Sequence, residues 1–410
     1  MNFNYQFFRD MLKGDGIIWT VYILLSIISI FEVFSAGSSL SFETGDYYTP
    51  IKHHSITLAL GAMVVWMVHH IPLKFFRLIP FIFLPLSFVL LLTLTIMGMI
   101  DENRINDASR WIFGFQPSEM AKMAVVVTVA YLLAHYQRED GCAPEAFKPV
   151  LLTSGVIILL IAPENGSTAL LLAAVVYMMM LVGRIPGRQM LKLTLTVLVG
   201  ASLLVTALVT VPPKVYKDVP GTHRFVTWRN RIIEFFNEEE VPAAKFDIDK
   251  KAQVAHANIA IATSHIIGKG PGNSVQRDHL SHGYSDFIYA ITVEETGLLG
   301  GAFVVMLYII LVFRAGRIAK RCDKYFPAFL VIGVTLLLVS QAMFHMMVSV
   351  GLFPVTGQPL PLVSKGGTSI LFNCVYIGIL LSVSRYVLEH DADSNTESGE
   401  PATTDVQHHT

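Results

Sequence analysis

Charge is what this sequence has least of. Only 15% of its 410 residues are Asp, Glu, Lys or Arg, against roughly 25% in an ordinary soluble domain. The formal net charge of -1 leaves no basic surplus to attract nucleic acid. Cysteine is also scarce. Cys142, Cys322 and Cys374 stand apart with no Cys-x-x-Cys, which argues against a disulfide framework or a zinc site. A phosphate-cradling glycine loop ending in Lys-Ser or Lys-Thr is missing, as is an HExxH pair, so ATP hydrolysis and zinc proteolysis are not supported. Arg9 and Lys13 precede the first apolar run, but no small-residue cleavage site stands out. That run therefore reads as a retained span.

What fills the chain instead is apolar. Hydrophobic residues make up 53%, and the mean hydropathy is +0.55. Long apolar runs recur near 17–37, 54–71, 76–98, 118–135, 148–163, 166–183, 189–211, 287–313, 326–350 and 366–387. Most are long enough to cross a hydrocarbon core of about 30 Å as helix. The expected fold is an all-α integral membrane protein of about ten spans, with a membrane domain over 17–388. The break at Pro163-Glu164-Asn165-Gly166 is so short that the fifth and sixth runs could also form a re-entrant hairpin.

Basic residues in short loops set the orientation. Lys74 and Arg77, Arg138 and Lys148, Arg184 to Lys192, and Arg314 to Lys324 all fall on the side of the N-terminus. That side is expected to be cytoplasmic, with both termini on it. The links at 38–53, 99–117, 163–166, 212–286 and 351–365 then face outward. Within the long loop 212–286, residues 227–236 have apolar side chains at helical spacing, fitting a helix on the membrane surface or on the bundle top, and 252–267 read as a second, polar-faced helix. The tail from 389 to 410 is polar and aperiodic, and is expected to be disordered.

Four polar stretches lie on the outward side. In Ser281-His282-Gly283-Tyr284-Ser285-Asp286-Phe287, Asp286 sits at the water boundary, while Glu294 and Glu295 fall about two turns deeper, where carboxylates need partners or a wet cavity. Asp286 could equally cap the helix that follows. In Ala108 to Lys122, Pro117 suits a first helical turn, and Glu119 and Lys122 share a face and can pair. Arg110 and Trp111 just outside suit the interface, and the stretch also reads as a well-capped span with snorkelling flanks. Pro163-Glu164-Asn165-Gly166 places a carboxylate at a hairpin tip. Gly351 to Ser369, rich in proline and glycine, must be buried in protein or line a cavity if it lies at membrane depth, and Lys365 there could meet a phosphate or simply snorkel. Their convergence predicts an outward-open cavity of mixed charge, suited to an anionic lipid-linked substrate.

These stretches resemble the signatures of the SEDS family (FtsW, RodA, SpoVE), polytopic glycosyltransferases that polymerise lipid II. The matching runs are Ala108-Ser109-Arg110-Trp111-Ile112 with Gln116-Pro117-Ser118-Glu119 and Lys122, Gly272-Asn273-Ser274-Val275-Gln276, Ser285-Asp286-Phe287-Ile288 with Glu294-Glu295 and Gly297, and Gly351-Leu352-Phe353-Pro354 through Gly366-Gly367-Thr368-Ser369. The first two are more similar to the division branch, FtsW. The chain departs from the family pattern at Lys365, usually an aromatic, at His345, usually asparagine, at Tyr284 and Ser285, usually histidine and threonine, and at Glu164, usually aspartate.

The resemblance implies inverting transfer from one lipid II to the 4-hydroxyl of another, with loss of undecaprenyl pyrophosphate. It implies Asp286 as general base, since inversion needs a base on the face opposite the leaving group. Arg110, Lys122 and Lys365 are the candidate cations for pyrophosphate, with a divalent ion, Mg2+ or Mn2+, as a further one. Trp111, Glu119, Glu164 and Asn165 complete the expected substrate site. The implied partners are a class B penicillin-binding transpeptidase and other division proteins, in the bacterial inner membrane, with the active site on the extracytoplasmic face. The rival reading is a lipid II flippase, which would have to expose its polar lining to both sides in turn.

Overall fold

The computed structural model describes residues 13–37, 49–100, 115–210, 228–230, 233, 252–280 and 283–397. Eleven longer helices organise them: α1 (Gly16–Ala36), α2 (Thr49–His69), α3 (Ile79–Ile100), α4 (Pro117–Tyr136), α5 (Phe147–Ile161), α6 (Gly166–Val182), α7 (Gly187–Thr210), α8 (Ala252–Ala262), α9 (Ile288–Arg321), α10 (Tyr325–Ser349) and α11 (Thr368–Glu397). Among the described residues, nine helical segments are long and apolar enough to cross a membrane. α6, at 17 residues, is a shorter apolar helix beside them. The protein is a multi-pass helical membrane protein. The described sheet is a two-stranded hairpin, Gln137–Arg138 against Gly141–Cys142, between α4 and α5.

A helix that is apolar all round belongs inside a bundle. α4 fits this rule: Ala121, Ala124, Val126, Val127 and Ala130 are fully buried, and α3, α5, α6, α10 and α11 all pack on it. α10 and α11 form the rest of the interior. α2 lies along α11 at a spacing set by small residues, since a Cβ on Gly61 would stand 2.6 Å from Cys374 Sγ. α7 is the opposite case. Met190 and Leu208 are its buried residues, and its leucine and valine side chains face outward, as lipid contact requires.

Polar ties lock the ends of the bundle. Asp15 caps α1 by accepting from the Ile17 and Ile18 amides at 2.9 and 3.2 Å. The same carboxylate pairs with Arg314, whose Nε donates at 2.8 Å. The start of α1 is thereby fixed to the far end of α9.

Three expectations need correction. α9 was expected over 287–313 but runs to Arg321, because Ala315, Arg317, Ile318, Ala319 and Lys320 continue the helix as good helix formers. It is also broken inside, at Gly297, with φ 76° and ψ -177°. The polar tail expected to be disordered from 389 is helical to Glu397. A helix already nucleated by the buried part of α11 propagates cheaply, and Arg385 meets Glu389 one turn on at 3.6 Å. The helix expected over 252–267 ends at Ala262. The rest of the expected outer loop and surface helix lies mostly outside the described residues, although Trp228 rests on the α5–α6 turn, where a Cβ on Gly166 would fall 2.5 Å from its ring.

Candidate functional site

The break at Gly297 is filled by a loop. Residues 265–270 run beside it and bond backbone to backbone: the Lys269 amide donates to Glu294 O at 3.0 Å and the Gly270 amide to Glu295 O at 2.9 Å. On the other side, the Leu298 and Leu299 amides donate to His265 O and Ile266 O at 3.1 and 3.3 Å. The approach demands glycine, because a Cβ at Gly297 would lie 2.2 Å from Ile266 O. The Glu294 and Glu295 carbonyls and the Leu298 and Leu299 amides find partners in this way, as burial requires.

The two deep carboxylates hold the same loop. Glu294 takes the Lys269 ammonium at 2.5 Å and the Ser274 hydroxyl at 2.5 Å. Glu295 accepts from the Gly272 amide at 2.9 Å and the Ser274 amide at 3.4 Å, and from the Ser35 hydroxyl on α1. These glutamates fasten the glycine-rich stretch 268–277 to the bundle.

A second loop, between α10 and α11, folds onto the residues that precede α9. Ser364 Oγ donates to Ser285 O at 2.8 Å and accepts from the Leu360 amide at 2.8 Å. The Lys365 amide donates to Tyr284 O at 3.1 Å. From below, Ser29 Oγ donates to Val363 O at 2.7 Å, and Gln341 Nε2 donates to Pro359 O at 3.0 Å. Gln358 Nε2 donates to Thr168 Oγ1 at 2.7 Å, which ties the loop to α6. At its centre Leu362 holds φ 65°, a conformation uncommon outside glycine that only a buried, over-determined setting sustains.

Between these loops lies an open cavity of about 330 Å³. Asp286, Glu119, Asn165 and Lys365 all line it. Asp286 is half-buried. It stands one residue before Phe287, and Phe287 occupies the N-cap of α9 without a side-chain cap bond. Gly357, at φ 64°, leaves room beside the carboxylate, since a Cβ there would stand 3.4 Å from Asp286 Oδ2. Across the opening, the Lys365 ammonium sits 5.2 Å from the centre of the Tyr284 ring. Its partial burial holds it below the ordinary lysine range. Asn165 caps α6, accepting from the Thr168 amide at 3.2 Å.

The floor is a buried ion pair. Lys122 is fully buried, 2.8 Å from Glu119 Oε1 and 3.0 Å from Gln341 Oε1. Glu119 Oε2 is buried with no hydrogen-bond partner among the described residues. The i, i+3 spacing on α4 turns Lys122 toward α10 and away from the opening, so it supports Glu119 instead of lining the cavity. Glu164 lies on the turn next to Asn165 but not in the lining. Arg110 and Trp111 lie outside the described residues.

Sequence reasoning left out Gln116, Tyr284, Ser285, Gly357, Gln358 and Ser369 as lining residues. The signal was their position in the same polar stretches as the chosen residues. For a possible divalent ion, no group of three or more His, Cys, Asp or Glu side chains converges among the described residues. Asp286 and Glu119 are the carboxylates of the cavity lining.

The bundle and this loop-lined pocket define a class: polytopic membrane proteins that present a carboxylate-bearing cavity at one end of a helical bundle. Within it, the chain belongs to the FtsW/RodA/SpoVE family of cell cycle proteins, whose pattern matches residues 15–389. A relative named probable peptidoglycan glycosyltransferase FtsW, from Hydrogenovibrio crunogenus, is 31% identical over 400 residues, covering 93% of this chain and 95% of its own. The fold is similar to that of a chain in a peptidoglycan synthase complex that coordinates polymerization and crosslinking, with TM-score 0.66 at 21% identity, covering 91% of this chain and 98% of the other. It is also similar to the rod shape determining protein RodA of Thermus thermophilus, with TM-score 0.62 at 18% identity, covering 92% and 98%.

Proposed function

We propose that this chain is a peptidoglycan glycosyltransferase that polymerises lipid II on the outer face of the bacterial inner membrane. The observation that carries the reading is the shared cavity, which sets the Asp286 carboxylate and the Lys365 ammonium around one open space. In this reading Asp286 takes the proton from the acceptor 4-hydroxyl as that oxygen attacks the anomeric carbon. Inversion follows from attack opposite the leaving group. Undecaprenyl pyrophosphate leaves toward Lys365, with Arg110 as a second cation. Glu119 and Asn165 hold sugar hydroxyls, and Trp111 and Glu164 are further contacts to the substrate in this reading. A divalent ion, if bound, would be held by the cavity carboxylates and would supply positive charge against the leaving group. Lys122 acts by holding the Glu119 side chain in place.

The likeness to a chain of a synthase complex that couples polymerization to crosslinking supports a class B penicillin-binding transpeptidase as partner, and the FtsW-named relatives support septal synthesis with other division proteins. Both termini are then cytoplasmic. Flipping of lipid II is disfavoured by the floor, where Lys122 and Tyr376 are fully buried against Glu119.

The test mixes the purified chain and a class B transpeptidase with labelled lipid II and resolves the products on a gel. Polymer from wild type and none from Asp286→Ala is the expected result. Full polymer from Asp286→Ala removes the general-base role, and lipid II crossing vesicles without polymer removes the enzyme.

A further inference from the structure

The loop between α10 and α11 is fastened to the bundle largely by its carbonyls, because Pro354, Pro359 and Pro361 carry no amide hydrogen. His345 Nδ1 donates to Gln358 O at 2.7 Å and Tyr308 to Pro361 O at 2.5 Å, beside the Gln341 and Ser29 bonds to Pro359 O and Val363 O. Of these four, the Ser29 bond is nearest in sequence to Lys365, and a second residue stands behind it. His54 Nε2 on α2 lies 2.8 Å from Ser29 Oγ. A carbonyl only accepts, so the serine hydrogen goes to Val363 O. The serine oxygen then accepts from the ring, which fixes His54 as the Nε2–H tautomer.

Ser29 has an easier alternative. Ser87 and Ser154, on other helices, each bond back to the carbonyl four residues earlier, both at 2.6 Å. For Ser29 that acceptor would be Leu25 O. Donation from His54 fixes which side of the serine oxygen carries its lone pair, and so aims the hydroxyl hydrogen at the loop. His54 is 2% exposed on a membrane-crossing helix, and its Nδ1 is buried with no hydrogen-bond partner among the described residues. An imidazole is costly in such a place, and Ser29 is what its other nitrogen serves. Beyond Ser29, Val363, Ser364 and Lys365 bond in turn to α1, to Ser285 and to Tyr284. Three consecutive residues thus set Lys365 beside the segment that carries Asp286.

We propose that His54 is a positioning residue, which turns the Ser29 hydroxyl to Val363 O and so holds the Lys365 ammonium in the cavity. Its effect on the reaction rests on the reading of Lys365 as the cation for substrate pyrophosphate.

The experiment has two arms, on the full chain in nanodiscs. The first follows hydrogen exchange by mass spectrometry at the Val363, Ser364 and Lys365 amides, which bond to Leu360 O and Tyr284 O. His54→Leu should speed their exchange by about tenfold, the worth of one buried hydrogen bond. Ser29→Ala should do the same, and gives the reading by itself if His54→Leu fails to fold. His54→Gln, whose amide nitrogen can still donate to Ser29, should exchange like wild type. The second arm measures lipid II polymerisation with a class B transpeptidase present. His54→Leu should raise the KM for lipid II with kcat unchanged, His54→Gln should restore it, and His54→Leu should add nothing to Lys365→Met. Exchange as slow in His54→Leu and Ser29→Ala as in wild type overturns the positioning role, whether or not polymer forms. A KM rise that is as large in the Lys365→Met background overturns the route through Lys365. No polymer from wild type removes the glycosyltransferase reading, and the exchange arm then decides the role of His54 alone.

Discussion

Asp286 and Lys365 differ in how they meet the cavity, and their variants should differ accordingly. Asp286 is half-buried and fills no cap position, and Asp286→Asn removes a proton acceptor while keeping the size of the side chain. Polymerisation should fall by about 100-fold or more, the usual worth of a positioned base, with the melting temperature of the detergent-solubilised protein unchanged. A melting temperature lowered in step with activity would reassign Asp286 to structure. Lys365→Met should raise the KM for lipid II, while Lys365→Arg should restore much of the binding. Burial lowers the affinity of Lys365 for its proton. Below its pKa the side chain is cationic and holds pyrophosphate, and above it that attraction disappears. The alkaline limb of kcat/KM should therefore begin below the ordinary lysine range of about 10.4. That limb should move up or vanish in Lys365→Met.

At the scale of elements, two devices determine whether the site exists. One is the broken α9. Gly297 occupies a region essentially closed to other residues, and any Cβ there meets the Ile266 carbonyl. Gly297→Ala should cost about 3 kcal/mol from the strained conformation, read as a lower melting temperature and faster proteolysis within 268–277. Unchanged proteolysis would mean that the inserted loop does not depend on the break. The other device is the ion pair under the floor, which joins α4 to α10 through Gln341. Lys122→Met leaves Glu119 buried and unpaired, at a cost of about 3–5 kcal/mol. The double variant Glu119→Leu with Lys122→Met should recover most of that stability without recovering polymerisation. Recovery of activity as well would deny Glu119 a place at the substrate.

At the scale of the whole molecule, the spans were readable because the hydrocarbon core imposes length and composition on each segment independently, and the described helices follow the apolar runs closely. Glu119 and Lys122 were also readable as a pair, since i, i+3 spacing on one helix decides it. Which way that pair faces was not, because it depends on α10, more than 200 residues further along the chain. The break in α9 escaped for a similar reason. A glycine inside an apolar run is common, and only the neighbouring loop, with its own glycines at 268 and 270, makes Gly297 a site of insertion. Glu294 and Glu295 were readable as carboxylates in need of partners, but which partners was not, because they come from α1 and from a loop about twenty residues upstream. By itself, then, the sequence determined a multi-pass helical bundle and the polar stretches at its loops, because hydropathy and local spacing act within one segment. The tertiary structure decided that Asp286, Asn165, Glu119 and Lys365 share one cavity and that Lys122 lies beneath it. Each of those facts is a meeting of distant segments, and only packing brings them together.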